Sequence, residues 1–257
     1  MTQRTLFGRG ICTLTLKGLA SEIIRAPSTH GVRLVATMNL DHVVNLRRNG
    51  AFRLAYAGAW AVTIDGAPVF AYARVRGVDA PGRITGVDLF AELARSWPLD
   101  RRPFFVTSTA EAGEKLIESF VARGFPNEAV GFESPAFGFE KDQAQSAALC
   151  SAIRSHGATD LVFGVGSPKS EIWIDTHRDQ LGDLYAYGFG AGLDFLVGNA
   201  ARAPIIMRRL GLEWLFRLAL EPTRLWRRYL VDSWAALPSV AADLAGRAPH
   251  GKPCLED

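Results

Sequence analysis

Three features of the sequence predict an α/β protein. Over the first two hundred residues, short β-branched or aromatic runs alternate with longer helical patterns. Strands separated by helices of that length favour a parallel sheet covered on both faces. The run Asp160-Leu-Val-Phe-Gly-Val165 is nearly all apolar, as a central parallel strand buried on both sides should be. After about residue 203 the alternation stops and two amphipathic helical patterns follow. The expected architecture is a mostly parallel, Rossmann-like sheet with helices on both faces, plus a C-terminal helical appendage.

Taken in order, the candidate strands are 32–37, 61–65, 103–107, 128–133, 160–165 and 184–189, and the helical stretches between them are 39–48, 87–97, 111–123, 141–155 and 168–181. Arg202-Ala203-Pro204 then punctuates the chain, and two helices separated by Glu221-Pro222 are expected, with Pro222 in the first turn of the second, where its missing N–H does no harm. Residues 236–257 lose periodicity, gain Pro and Gly, and read as a mobile tail. The division expected is a core over 1–202, an appendage over 203–235 and a tail over 236–257.

Composition bounds the function. The chain has 257 residues, 48% of them hydrophobic and 21% charged, so it can bury a substantial core and is not a disordered polymer. No stretch free of charged side chains exceeds eleven residues, the length of Leu54 to Ile64, well short of the ~20 a spanning helix needs. The first residues develop no apolar segment, so no secretory signal is expected. Cys12, Cys150 and Cys254 are scattered and fit a reducing compartment better than a disulfide framework or a metal site. The net charge of +3 is too weak for a nucleic-acid partner, but residues 207–232 hold six arginines against Glu213, Glu221 and Asp232, so all the excess lies there. Leu210, Trp214 and Leu218, and then Leu225 and Tyr229, recur at helical spacing between those arginines. The pattern describes a helical pair packed on the core. Spacing alone puts that reading first; the sharper one is an interfacial membrane contact, with aromatic rings at headgroup level and arginines near anionic phosphates.

Ligands of open α/β sheets bind beyond the carboxyl ends of the strands, so the residues that follow each strand matter. Thr37-Met-Asn39 follows the first, Asp65-Gly66 the second, Gly164-Val-Gly166-Ser167-Pro168-Lys169-Ser170-Glu171 the fifth, and Gly188-Phe-Gly190-Ala-Gly192-Leu-Asp194 the sixth. The 164–171 segment, with Ser167 as a candidate cap and Pro168 in the first turn, can present amides to a phosphate; it also fits an ordinary strand-to-helix turn. Neither glycine-rich segment satisfies a Walker or a dinucleotide fingerprint. Asp65 fits a turn carboxylate satisfied by nearby amides, or a general base, whose pKa would have to be lifted from ~4 by partial burial. The five histidines show no ligand spacing, no Asp-x-Asp pair is present and there is no G-x-S-x-G elbow. These absences move metal hydrolysis and serine hydrolase chemistry down the order.

In this order and spacing, several segments resemble the WecG/TagA/CpsF family of bacterial glycosyltransferases over about residues 37–229. They are Thr37-x-Asn39, Asp65-Gly66, Arg83-Ile-Thr-Gly86-Val-Asp88, Gly164-x-Gly166-Ser-Pro-Lys169-x-Glu171, Gly190-x-Gly192-x-Asp194, Arg202-Ala-Pro204, Gly211-Leu-Glu-Trp214-Leu-Phe-Arg217 and Glu221-Pro-x-Arg224-x-x-x-Arg228-Tyr229. The resemblance implies an inverting, metal-independent transfer from a UDP-sugar to a polyprenyl-diphosphate-linked saccharide, without a cofactor. The setting implied is the cytoplasmic face of the bacterial membrane, during surface or exopolysaccharide synthesis, with self-association open. By resemblance, Asp65 is the base and Thr37 and Asn39 position the reacting sugar. Asp194 holds the ribose, and Gly138, Phe139, Ser167, Pro168, Lys169, Ser170, Glu171 and Gly190 line the donor side.

A leaving diphosphate needs cationic partners, and arginine forks suit its oxygens. Arg202, Arg217, Arg224, Arg227 and Arg228 are the candidates, in a segment expected both to touch lipid and to close over the site. Ser170 stands where the family carries Gln, Gly138-Phe139 where it carries Gly-Tyr, and Thr107-Ser108-Thr109 where glycines are usual. The first two losses incline the donor from N-acetylmannosamine or its uronic acid towards glucose. A non-catalytic scaffold binding lipid intermediates is the alternative of another class; retention of Asp65, Thr37 and Asn39 argues against it. A nucleotide-dependent oxidoreductase is a further alternative, and the broken glycine fingerprint argues against that.

Overall fold

The computed structural model describes residues 5–190, 193, 203–209 and 211–246. Six strands form one parallel sheet: β3 (Val32–Met38), β4 (Ala61–Ile64), β5 (Pro103–Val106), β6 (Gly131–Glu133), β7 (Asp160–Phe163) and β8 (Leu184–Gly188). Their order is β4-β3-β8-β7-β5-β6, with Met38 opposite Ile64 and Val162 opposite Tyr187. A separate two-residue-strand hairpin, β1 (Thr5–Leu6) and β2 (Arg9–Gly10), precedes it. The α/β class and the parallel sheet inferred from the sequence are therefore what the chain adopts.

Both sheet faces are covered, which is why apolar residues run consecutively along the central strands rather than at alternate positions. One face receives α1 (Leu16–Arg25), α5 (Gly86–Ser96) and α6 (Ala110–Val121), whose Leu19, Ile23, Phe90, Leu93, Leu116 and Phe120 pack on Val35, Phe105, Val162 and Tyr187. The other receives α7 (Gln143–His156) and α8 (Lys169–Thr176), whose Ile153, Trp173 and Ile174 pack on Leu34, Phe104, Leu161 and Phe163. Adjacent strand residues such as Phe104 and Phe105 thus serve opposite cores, the period of two made visible. At the β4 edge, α2 (Leu40–Arg48), α3 (Gly50–Ala57) and α4 (Ala67–Val75) bury Val43, Phe52, Tyr56 and Val69 against Met38 and Ile64.

The differences from the sequence reading are local and have physical causes. α1, α3 and α4 were not anticipated. α3 follows α2 through a single shared residue, Asn49, which ends one helix and caps the next by accepting from the Phe52 N–H. The fourth strand shortens to three residues because Asn127–Ala129 forms a 3-10 turn. The helix expected over 168–181 divides at His177 into α8 and α9 (Arg178–Leu181). Ser167 does not cap α8; Pro168 occupies that position with no side-chain cap bond.

C-terminal to the sheet, α10 (Ile205–Arg209), α11 (Glu213–Leu220) and α12 (Pro222–Leu230) form the appendage, with Pro222 in the first turn of α12 as expected. The mobile tail expected from residue 236 gives way to α13 (Leu237–Leu244). Its Asp243 is buried and accepts from the Phe7 N–H at 2.8 Å and the Tyr72 hydroxyl at 2.8 Å. One carboxylate thereby ties this helix to β1, β2 and α4, a contact no local pattern announces. None of the described helices is long and apolar enough to cross a membrane.

Candidate active site

Asp65 follows β4 directly. Its N–H donates to Met38 O at 2.8 Å, continuing the β3–β4 pairing one residue past the strand, and Gly66 turns the chain into α4 at a φ of 97°. The side chain is thus delivered from a rigid strand end into a cavity of about 370 Å³. Asn39 and Asp41 enter it from the start of α2, Arg83 and Thr85 from the approach to α5, and Glu213, Trp214, Arg217, Tyr229 and Ser233 from the appendage. The wall made by the appendage is held by an edge-on contact of Trp214 with Tyr229, ring centroids 5.9 Å apart, and by Arg83 donating to Arg208 O.

Burial pushes the Asp65 carboxyl up to about 6; Glu213 and Asp88 add to the rise, while Arg217 and the Gly86 N–H oppose it. A carboxyl in that range is ionised at neutral pH yet basic enough to take a proton. Arg217 faces the cavity while paired with Glu213 at 2.8 Å. Asn39 has a double duty, since its side-chain oxygen accepts from the His42 N–H at 3.1 Å and so caps α2.

The residues read from the sequence divide into groups. Asp65, Asn39 and Arg217 meet in the cavity. Thr37 is buried beside Thr63 in the β3–β4 register, one layer behind it. The loop after β7 lies farther along the sheet, at its topological switch point. The β5–β6 crossover runs towards one edge and the β7–β8 crossover towards the other, so their helices leave from opposite faces, the arrangement that opens a ligand crevice in such sheets. Ser167, Pro168 and Lys169 stand at this point. Gly190 packs against Gly166, where a Cβ would lie 3.5 Å from the Gly166 Cα.

Ser170 is buried and its hydroxyl donates to Gly166 O at 2.9 Å. Glu171 is fully buried beneath the loop. Gly138 turns the chain at a φ of 88°, so that Phe139 packs inward near Trp173 while Phe137 stands 98% exposed with the Lys169 ammonium 5.2 Å from its ring centre. The ring available for stacking is accordingly Phe137. Arg227 is exposed on α12. Asp194 and Arg202, and the side chains of Arg224 and Arg228, lie outside the described residues.

Sequence reasoning missed Thr85, Glu213, Trp214, Tyr229 and Ser233 as cavity residues. Thr85, Glu213, Trp214 and Tyr229 had a signal only as members of motifs and Ser233 had none, because the contacts that bring 211–233 over Asp65 span more than a hundred residues. Comparison with known proteins gives the family. The model of the glycosyl transferase WecG/TagA/CpsF family matches residues 4–249. An N-acetylglucosaminyldiphosphoundecaprenol N-acetyl-beta-D-mannosaminyltransferase of Bacillus spizizenii is 31% identical over 219 residues, 84% of this chain and 82% of the relative. A family match spanning nearly the whole sequence, with a 31% identical relative covered over most of both chains, places this chain in the WecG/TagA/CpsF family of glycosyltransferases.

Proposed function

We propose that the protein transfers a sugar from a UDP-sugar to a polyprenyl-diphosphate-linked saccharide with inversion at the anomeric carbon, Asp65 acting as general base. The observation that carries this reading is the Asp65 carboxylate, raised to about 6 and opening into a cavity shared with Asn39 and Arg217. In the proposed step Asp65 removes the proton from an acceptor hydroxyl. That oxygen bonds to the anomeric carbon from the face opposite UDP, and the carbon–oxygen bond to UDP breaks with its electron pair leaving on the diphosphate. Arg217, with the arginines of α12, would meet the charge that develops there. Asn39, fixed as a helix cap, would orient the reacting sugar. The nucleotide would bind at the switch point beyond β5 and β7, beside Lys169 and the exposed Phe137 ring.

The acceptor reading is supported by the Bacillus relative, whose name specifies an undecaprenyl-diphosphate-linked sugar acceptor. The membrane reading is supported by Trp214, Trp226, Trp234 and Leu237, which are exposed on the appendage and the turns after it; aromatic and apolar side chains among arginines suit a headgroup layer. Both residues that inclined the donor towards glucose are buried: Ser170 is bonded to its own loop and Phe139 packs in the core. With that inclination removed, an N-acetylmannosaminyl donor like the relative's is the leading assignment. UDP release in the presence of a prenyl-diphosphate-linked saccharide tests the proposal, with UDP-N-acetylmannosamine, its uronic acid and UDP-glucose compared, with and without excess EDTA. Turnover that Asp65→Ala abolishes and EDTA spares is the expected result; equal rates in wild type and Asp65→Ala would remove Asp65 as the base.

A further inference from the structure

The molecule contains a second buried acid close to the site that the proposed chemistry does not use. Glu171 lies in the first turn of α8 with its side chain 1% exposed; the Ser167 hydroxyl and its own N–H approach the carboxylate, but neither oxygen makes a hydrogen bond of normal geometry. Its nearest ionisable neighbour is His42, 4% exposed, with Nε2 3.7 Å from Oε1. On the other side of that ring, Nδ1 lies 2.5 Å from the Tyr56 hydroxyl. The backbone makes room for the arrangement: a Cβ at residue 188 would come within 3.0 Å of the Glu171 carboxylate.

Buried polar groups without partners are few in native proteins. A buried acid–base pair gives little net stability, because well-packed apolar residues of similar volume serve as well or better. Stability therefore does not account for His42 and Glu171, but their location does. His42 sits in the first turn of α2, and its N–H is the donor that Asn39 caps. Glu171 sits in the first turn of the helix that begins at Lys169, within reach of the Ser167 hydroxyl. The two side chains bridge the starts of the two helices that carry the acceptor end and the donor end of the site, and Tyr56 of α3 braces the bridge from the third side.

We propose that His42 and Glu171 are positioning residues: their pairing fixes Asn39 against the Ser167–Lys169 loop and keeps the two ends of the site in register. This rests on the glycosyltransferase reading above, since only a reaction joining two substrates across that span needs the register. A displacement of about 1 Å in such a frame costs up to about a hundredfold in rate.

The test uses the full chain and the Glu171→Gln variant, which keeps volume and removes the acid. The expected variant melts no more than about 4 °C below wild type, keeps its KM for the UDP-sugar, and loses at least about tenfold in kcat. Amide hydrogen exchange should quicken at residues 39–43 of α2 as well as at 165–172, although the substitution is in α8. A kcat within about twofold of wild type, or faster exchange confined to α8, would overturn the proposal. If Glu171→Gln does not fold, His42→Gln must give the reciprocal pattern, with faster exchange appearing at 165–172. Absence of UDP release by wild type with any lipid-linked acceptor would instead overturn the function reading, and the exchange pattern would still decide the tie.

Discussion

The two ends of the parallel sheet treat buried carboxylates in opposite ways. At the entry of β7, Asp160 is fully buried and fully answered: Arg101 reaches it at 3.2 Å, the Thr159 hydroxyl donates at 2.8 Å and the Tyr187 hydroxyl at 2.9 Å. At the exits of β4 and β7, Asp65 and Glu171 are raised to about 6 and about 7, chiefly by burial, with few partners to offset it. Burial raises the carboxyl of Asp160 too. What separates the ends is the supply of donors rather than the depth of burial. A satisfied carboxylate is a rivet; one left short of donors keeps its proton affinity and remains available for chemistry.

The sharpest way to break this contrast is to neutralise one acid at each end. Asp65→Asn should lower kcat by about 10²–10⁴-fold, the range of general-base catalysis, with little change in melting temperature. Asp160→Asn should do the reverse. Leaving Arg101 buried without its partner costs about 3–5 kcal/mol, seen as a lower denaturation midpoint, while the folded fraction keeps its kcat. A large activity loss from Asp160→Asn at unchanged folded fraction would erase the distinction.

Smaller effects follow from titration. Asp65 must be ionised to accept a proton, so kcat/KM should fall as pH drops through about 6. Glu213 raises that carboxyl and Arg217 lowers it. Glu213→Gln should therefore move the acid limb to lower pH and Arg217→Gln to higher pH, read from pH–rate profiles. Glu171 makes a stability prediction. Its carboxyl is lifted from 4.5 to about 7 in the folded state, so between those values the folded protein holds a proton that the unfolded chain releases. Stability must then decline as pH rises through that window. Calorimetry should show the decline in wild type and a shallower one in Glu171→Gln; identical pH dependence in both would mean the carboxyl is not held in that state.

How much of this contrast was legible in the sequence depends on the range of the interactions. The strands were visible because period-two burial on two faces writes itself into consecutive residues, as at Phe104-Phe105. Asp65 and Asn39 were visible because a strand end followed by a cap or a glycine is a local pattern. The pairing of His42 with Glu171 joins residues 129 positions apart, and that of Phe7 with Asp243 is separated by 236; no window along the chain contains either. Phe137 and Phe139 show the finer limit. Both flank one glycine, and only the φ of 88° at Gly138 decides which ring faces solvent. The contact of Asp243 also alters how the appendage should be tested. Deleting everything beyond residue 202 would strip the N-terminal hairpin of its partner as well. Trp226→Ser with Trp234→Ser is cleaner, because both rings are at least half exposed. Recovery with anionic vesicles should fall several-fold, while turnover on a short-chain acceptor should hold.

The smallest expected effect separates the two ends most finely, because it adds a single methyl group at each. At the entry end, a Cβ at residue 131 would meet the Phe104 ring at 2.7 Å and the His156 ring at 2.9 Å. Gly131→Ala should therefore destabilise by about 1–3 kcal/mol through overpacking and leave kcat of the folded protein unchanged. At the exit end, a Cβ at residue 188 would meet the Glu171 carboxylate at 3.0 Å, near enough that the acid must move by a few tenths of an ångström. If Glu171 only filled space, Gly188→Ala would behave like Gly131→Ala and register in the melt alone. If it holds α8 in register with α2, the shift should reach Asn39 and lower kcat about threefold at nearly constant melting temperature. The effect should vanish in the Glu171→Gln background, where the contact it disturbs has already been given up. Additive losses in the double variant would mean that Gly188 acts on the site by another route.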